Sequence, residues 1–155
     1  MHPVASSSSG RHRVVIVGGG FGGLNVVRAL AHAEVDVTVV DRTNHHLFQP
    51  LLYQVAAGIL PPGLIAPPLR GVIKKQANAR ALLAEVTDFD FERKVVAASG
   101  PDGRPITLPY DTLVVAAGAT HSYFGRDEFA EFALRLRLPR SRPTHPRTRD
   151  PLRAD

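Results

Sequence analysis

The 155-residue chain contains no cysteine. That excludes disulfides, a redox-active dithiol and thiolate metal sites within it, and argues against a small secreted scaffold held by cross-links. The start, Met1 to Arg13, has no apolar run and is rich in serine, so residues 1–12 read as a disordered arm rather than a signal peptide. Leu51 to Leu69 carries no charge. Yet Pro61, Pro62, Pro67 and Pro68, with Gly58 and Gly63, exclude the continuous helix that a membrane span needs. Nor is there a net charge before residue 133, where 12 Lys and Arg balance 12 Asp and Glu. The formal excess of +5 lies wholly in residues 133–155, with seven Arg against two Asp. No internal repeat is visible, and no acid–base pair stands out as a catalytic couple.

The tail from Ala133 to Asp155 has no lysine, no aromatic residue and little periodicity, so it reads as disordered. A basic arm for RNA, DNA or an anionic membrane is one reading of it. A non-native end, such as a shifted reading frame in GC-rich DNA, is the reading favoured here, and no nucleic-acid partner is expected. Residues 13–132 have the composition of one soluble domain with a normal core.

What is present is a glycine motif in a telling place. The buried-type strand Val14-Val15-Ile16-Val17 runs into Gly18-Gly19-Gly20-Phe21-Gly22-Gly23, with Gly18, Gly20 and Gly23 spaced as G-x-G-x-x-G. Gly18 permits the tight turn, Gly20 a close approach to a pyrophosphate, and Gly23 close packing of helix on strand. Leu24, Val27, Leu30 and Ala31 predict one buried helix face. A second strand, Val35 to Val40, ends on Asp41, an acid placed to accept hydrogen bonds from an adenosine ribose and to repel a ribose phosphate. Together these elements read as a dinucleotide-binding βαβ unit.

Beyond it, Arg42 to Pro50 predicts a polar loop. Its adjacent His45 and His46 point apart on an extended chain and have no carboxylate cluster nearby, so they read as loop or ligand-lining residues rather than metal ligands, and no metal is expected. Leu64 to Gln76 predicts a short helix past Pro67 and Pro68. Arg80 to Val86 predicts a strand of the parallel sheet. Phe91 to Ala98 and Arg104 to Leu108 predict a hairpin about the turn Gly100-Pro101-Asp102-Gly103. Thr112 to Ala119 predicts an apolar strand ending in small residues that let a cofactor or helix approach. The expected fold class is α/β, a Rossmann-like domain with a parallel sheet and an inserted antiparallel β-meander, incomplete at its C-terminus.

Val17 to Gly23, Asp41 and Tyr110 to Gly118 resemble the two-dinucleotide-binding-domain flavoproteins. Asn44-His45-His46-Leu47-Phe48-Gln49-Pro50-Leu51-Leu52-Tyr53-Gln54-Val55-Ala56, Ile65 to Arg70 and Ser122-Tyr123-Phe124-Gly125 narrow the resemblance to the type II, non-proton-pumping NADH:quinone oxidoreductases. It covers about Arg13 to Phe132. In that family the first glycine motif binds FAD. The resemblance therefore implies that Gly18, Gly20, Phe21, Gly22 and Gly23 line the flavin's pyrophosphate. It implies that Asp41 and Arg42 hold the adenosine side, that Val86 offers backbone contacts to adenine, that Phe48 to Gln54 runs near the isoalloxazine, and that Ala117 and Gly118 approach the cofactor. It also implies hydride transfer from NADH to the flavin, delivery of two electrons to a membrane quinone, peripheral attachment at the inner face of the cell membrane, and often a homodimer. Leu64 stands where most members carry an acid. The family's second glycine-rich unit for NADH, its later Gly-Asp motif and its membrane-docking helices have no counterpart after Phe132, so the expectation is an N-terminal portion not competent by itself. Alternatives left open are another FAD- or NAD(P)-dependent oxidoreductase of the superfamily, a nonfunctional fragment, and a nucleic-acid binder using the tail.

Overall fold

The computed structural model describes residues 10–119. The expectations for residues 1–9, for Ser122 to Gly125 and for the tail 133–155 lie outside the described residues.

Two apolar runs rich in valine form β1 (His12–Val17) and β2 (Val35–Asp41), which pair in parallel with Val14 opposite Val37 and Val17 opposite Val40. Between them α1 (Phe21–Ala29) crosses over. β3 (Ala79–Leu83) flanks β2 and β7 (Thr112–Val115) flanks β1, both parallel, giving the order β3-β2-β1-β7. β2 follows β1 through α1 on one edge, and β7 returns from the meander to β1's other edge, so the strand order reverses at β1. Sheets of this kind bind ligands at the carboxyl ends beside such a reversal.

Alternation along β1 explains why nearly every residue there is apolar. Val14 and Ile16 join Val37 and Val39 under Leu24 and Val27 of α1 and under Leu69 and Ile73 of α4 (Leu69–Ile73). Val15 and Val17 face the other way with Val40, packing on Val96, Ala98, Leu108 and Tyr110. Those residues belong to the second sheet and its exit, an antiparallel meander of β4 (Glu85–Asp90), β5 (Val95–Ser99) and β6 (Pro105–Pro109). Both faces of the parallel sheet are thus covered, as its continuous apolar strands require. Each fully buried Val or Ile side chain contributes about 1.5–3 kcal/mol of burial. The one buried polar side chain of these strands, Thr38, accepts a hydrogen bond from Arg80 Nε at 2.9 Å.

The α/β class, the parallel sheet and the inserted meander are as the sequence predicts. Several boundaries differ. The run expected as one strand, Arg80 to Val86, turns a corner at the buried Ala84, whose N–H donates to Asp41 O at 3.0 Å, so β3 stays in the parallel sheet and β4 starts the meander. Phe91 to Lys94 is a turn rather than strand, closed by Lys94 at φ 54°, and β5 begins at Val95. The short helix expected past Pro67 and Pro68 is α4, while a further short helix, α3 (Pro62–Ile65), precedes the two prolines. Each proline removes an N–H donor and sets its predecessor extended. The loop expected over Arg42 to Pro50 runs into a 3₁₀ turn over Gln49–Leu51, followed by α2 (Leu52–Ala56). α1 stops at Ala29, leaving Ala31 beyond it.

Candidate functional site

The glycine turn sits at the carboxyl end of β1 and is tied to its neighbours on three sides. Gly18 N–H continues the ladder to Val40 O at 2.8 Å. Its φ of 107° is in the region that L side chains rarely adopt, and a Cβ there would strike the backbone carbonyl of Ala116 just past β7. A Cβ on Gly23 would strike the carbonyl oxygen of Gly18. The first and third glycines therefore hold strand, turn and helix at backbone contact. Gly20 differs: a Cβ there meets nothing within 4 Å. Gly20 is also the N-cap of α1, with no side-chain cap and no acid in the first turn. The first-turn N–H groups have no partner inside the helix, and the helix dipole places positive potential there. An uncapped positive helix end beneath open space fits a pyrophosphate.

Asp41 ends β2 beside this turn. Its Oδ2 accepts the Gly19 N–H at 2.6 Å, and its Oδ1 accepts both the N–H and the hydroxyl of Thr43 at 2.6 Å each. The acid read from sequence as a ribose acceptor is thus first an organiser of the glycine turn, with lone-pair capacity remaining on Oδ2. Arg42 is exposed, 4.0 Å from Glu85 at the start of β4. Val86 is half-buried in the β4–β5 ladder opposite Ala98. Ala117 and Gly118 follow β7; Ala116 N–H donates to Val17 O at 2.8 Å, which sets this small-residue exit beside Gly18 and Gly22. The turn, Asp41, Ala117 and Gly118 therefore gather at the carboxyl ends of β1, β2 and β7, while Arg42 and Val86 flank them on the β3–β4 side.

Sequence reasoning about the motif passed over two contributors. Gly19 is the buried middle of the turn, and a Cβ on it would lie 2.7 Å from Leu69 Cδ2. His46 Nδ1 lies 3.1 Å from Gly19 O, and its ring meets Phe21 edge-on at a centroid distance of 5.0 Å. Phe21 in turn meets Phe48 at 5.4 Å. The signal for His46 was the histidine pair in the loop; what the sequence did not carry was the long-range pairing that aims it. Phe48 N–H donates to Ile65 O, His46 N–H to Pro67 O and Leu69 N–H to Asn44 O, at 2.8, 2.9 and 3.0 Å.

A cavity of about 610 Å³ opens at the opposite, amino end of the strands, lined by Arg13, Asp36, Thr38, Asn78, Arg80 and Leu108 among others. It is remote from the glycine turn. Among the described residues no three His, Cys, Asp or Glu side chains gather into a metal site, and no helix is long and apolar enough to cross a membrane.

Residues 12–142 match the family model of the pyridine nucleotide-disulphide oxidoreductases. The chain is 56% identical over 128 residues to the type II NADH:quinone oxidoreductase NdhA of Mycobacterium tuberculosis, covering 83% of this chain and 27% of that protein. It is 57% identical over 123 residues to the type II NADH:quinone oxidoreductase Ndh of the same organism, covering 79% and 26%. An NDH2 structure from Plasmodium falciparum in complex with NADH superposes with a TM-score of 0.70 at 26% identity, covering 78% of this chain and 25% of that one. The chain spans about a quarter of the length of these relatives.

Proposed function

The chain belongs to the pyridine nucleotide-disulphide oxidoreductase family, and on that premise we propose that residues 13–132 are the FAD-binding region of an NADH:quinone oxidoreductase of type II. The observation that carries this reading is the uncapped end of α1 under the open face of Gly20, next to Asp41. Gly18 and Gly23 hold the turn; Gly20, Phe21 and Gly22 present first-turn N–H groups to the pyrophosphate. Asp41, with Arg42 beside it, takes the adenosine ribose, and its charge disfavours a ribose phosphate. Val86 offers backbone to the adenine. Ala117 and Gly118, with no large side chain, let the cofactor lie along the end of β7. Phe48 to Gln54 lies on the flavin side.

Bound FAD would supply the redox chemistry, accepting hydride from NADH and passing electrons to a membrane quinone. The protein's part is to bind, orient and exclude water. With no cysteine, this chain has no disulfide to relay the electrons. Membrane association is peripheral, at the cytoplasmic face, and the quinone is the electron acceptor in this reading; 56% identity to NdhA supports it.

The experiment is to purify the chain with added FAD, remove free flavin and record the visible spectrum before and after NADH. A retained flavin spectrum is the expected result. Because the sequence holds one such glycine motif, NADH is expected not to bleach it. Loss of all flavin on desalting would contradict the reading.

A further inference from the structure

The peptides on both sides of Gly19 are held by side chains from different segments, and one of those side chains is His46. Gly19 O is an acceptor only, so the contact at 3.1 Å requires the proton on His46 Nδ1. The Gly19–Gly20 peptide is planar and trans, its C=O and N–H directed oppositely. Fixing Gly19 O toward His46 therefore turns the Gly20 N–H away from His46. On the other side Asp41 takes the Gly19 N–H at 2.6 Å, which by the same geometry directs Gly18 O away from Asp41, and that oxygen is the atom Gly23 packs against.

His46 is held firmly enough to impose this. Its own N–H donates to Pro67 O, the flanking Leu69 and Phe48 N–H groups close on Asn44 O and Ile65 O, and its ring edge rests on Phe21. Leu69 meanwhile packs against Gly19 from below.

We propose that His46 is a positioning residue for the cofactor: by donating Nδ1–H to Gly19 O it presets the Gly19–Gly20 peptide, so that the Gly20 N–H is presented to the FAD pyrophosphate before binding. This rests on the FAD reading above. A flexible glycine turn would have to be ordered on binding; one already pinned loses less freedom, and affinity rises accordingly. His46 does not touch the reacting atoms.

Two measurements on the full chain test it. Without FAD, ¹⁵N NMR of the imidazole is expected to show the Nδ1–H form; a neutral Nε2–H tautomer overturns the proposal whatever FAD does. With FAD, His46→Phe keeps the ring on Phe21 but loses the donor, whereas His46→Asn places an amide N–H near the former Nδ1. The expected result is about three- to tenfold weaker FAD binding for His46→Phe, on the scale of one neutral hydrogen bond. His46→Asn is expected to recover most of that loss, with circular dichroism showing all the FAD-free proteins folded. Equal affinity of wild type and His46→Phe overturns the proposal, as does a failure of His46→Asn to rescue. Absence of FAD binding by the wild type overturns the functional reading and the cofactor role together, and the tautomer then still reports whether the contact exists.

Discussion

Gly23 packs against the carbonyl oxygen of Gly18 so closely that a Cβ on Gly23 would collide with it, and that Cβ would also lie 3.4 Å from Ile16 Cγ2. The obstacle is backbone, which cannot rotate aside as a side chain could. Gly23→Ala is therefore expected to lower stability by about 1–3 kcal/mol or to abolish folding, the range for overpacking a tight contact. Chemical denaturation of the FAD-free chain measures it; an unchanged midpoint would contradict the packing described.

Gly20→Ala separates binding from folding. Its Cβ meets nothing within 4 Å, so the FAD-free protein is expected to lose less than about 1 kcal/mol, the scale of an unfavourable N-cap residue. FAD affinity is expected to fall at least about tenfold, because the methyl group occupies the approach that the second glycine keeps clear. Parallel melting and flavin-fluorescence titrations read the two effects; a loss of stability without a loss of affinity would contradict the assignment.

Asp41→Asn probes the acid's two duties. The carboxylate accepts from Gly19 and twice from Thr43, and an amide cannot accept at both of its atoms. Removing charge-assisted bonds of this kind is expected to destabilise even the FAD-free chain by about 1–3 kcal/mol. Had the acid served only a ribose, stability without FAD would not change.

Arg13 and Asp111 tie the starts of β1 and β7. Arg13 donates its backbone N–H to Asp111 Oδ2 at 2.8 Å, its Nε–H to the same oxygen at 3.0 Å and its Nη2–H to Oδ1 at 2.9 Å. The guanidinium hydrogen bonds, then the backbone N–H, hold the Asp111 carboxyl below its ordinary range. A depressed carboxyl contributes stability that is complete above the unfolded value, about 3.9, and is lost as pH falls from there toward the lower folded value. Acid denaturation of Asp111→Asn is expected to be shallower below about pH 4 than that of wild type. Arg13, raised by the same hydrogen bond, stays charged throughout this window. Matching acid limbs would contradict this linkage.

The parallel sheet was legible because β1, β2 and β7 are short apolar runs that need cover on both faces, and the glycine spacing with Asp41 marked the turn. The corner at Ala84 was not. Arg80 to Val86 read as one strand, and only packing of Ala84 between the sheets and its bond to Asp41 O divides it. Phe91 to Lys94 misled for a similar reason, since its residues suit a strand and the positive φ at Lys94 leaves no mark on composition. At the site, the close backbone packing of Gly18 and Gly23 followed from spacing. The part played by His46 did not, because it depends on residues 44–48 pairing with 65–69 about twenty positions later.

Mapping the FAD site by ¹⁵N–¹H amide shifts during a titration of the full chain tests the central claim most directly. The account predicts that Gly18 to Gly23, Asp41, Ala117 and Gly118 move together and saturate. Shifts confined to the opposite end of the sheet, at Arg13, Asp36, Asn78 and Arg80, or no shifts at all, would contradict it.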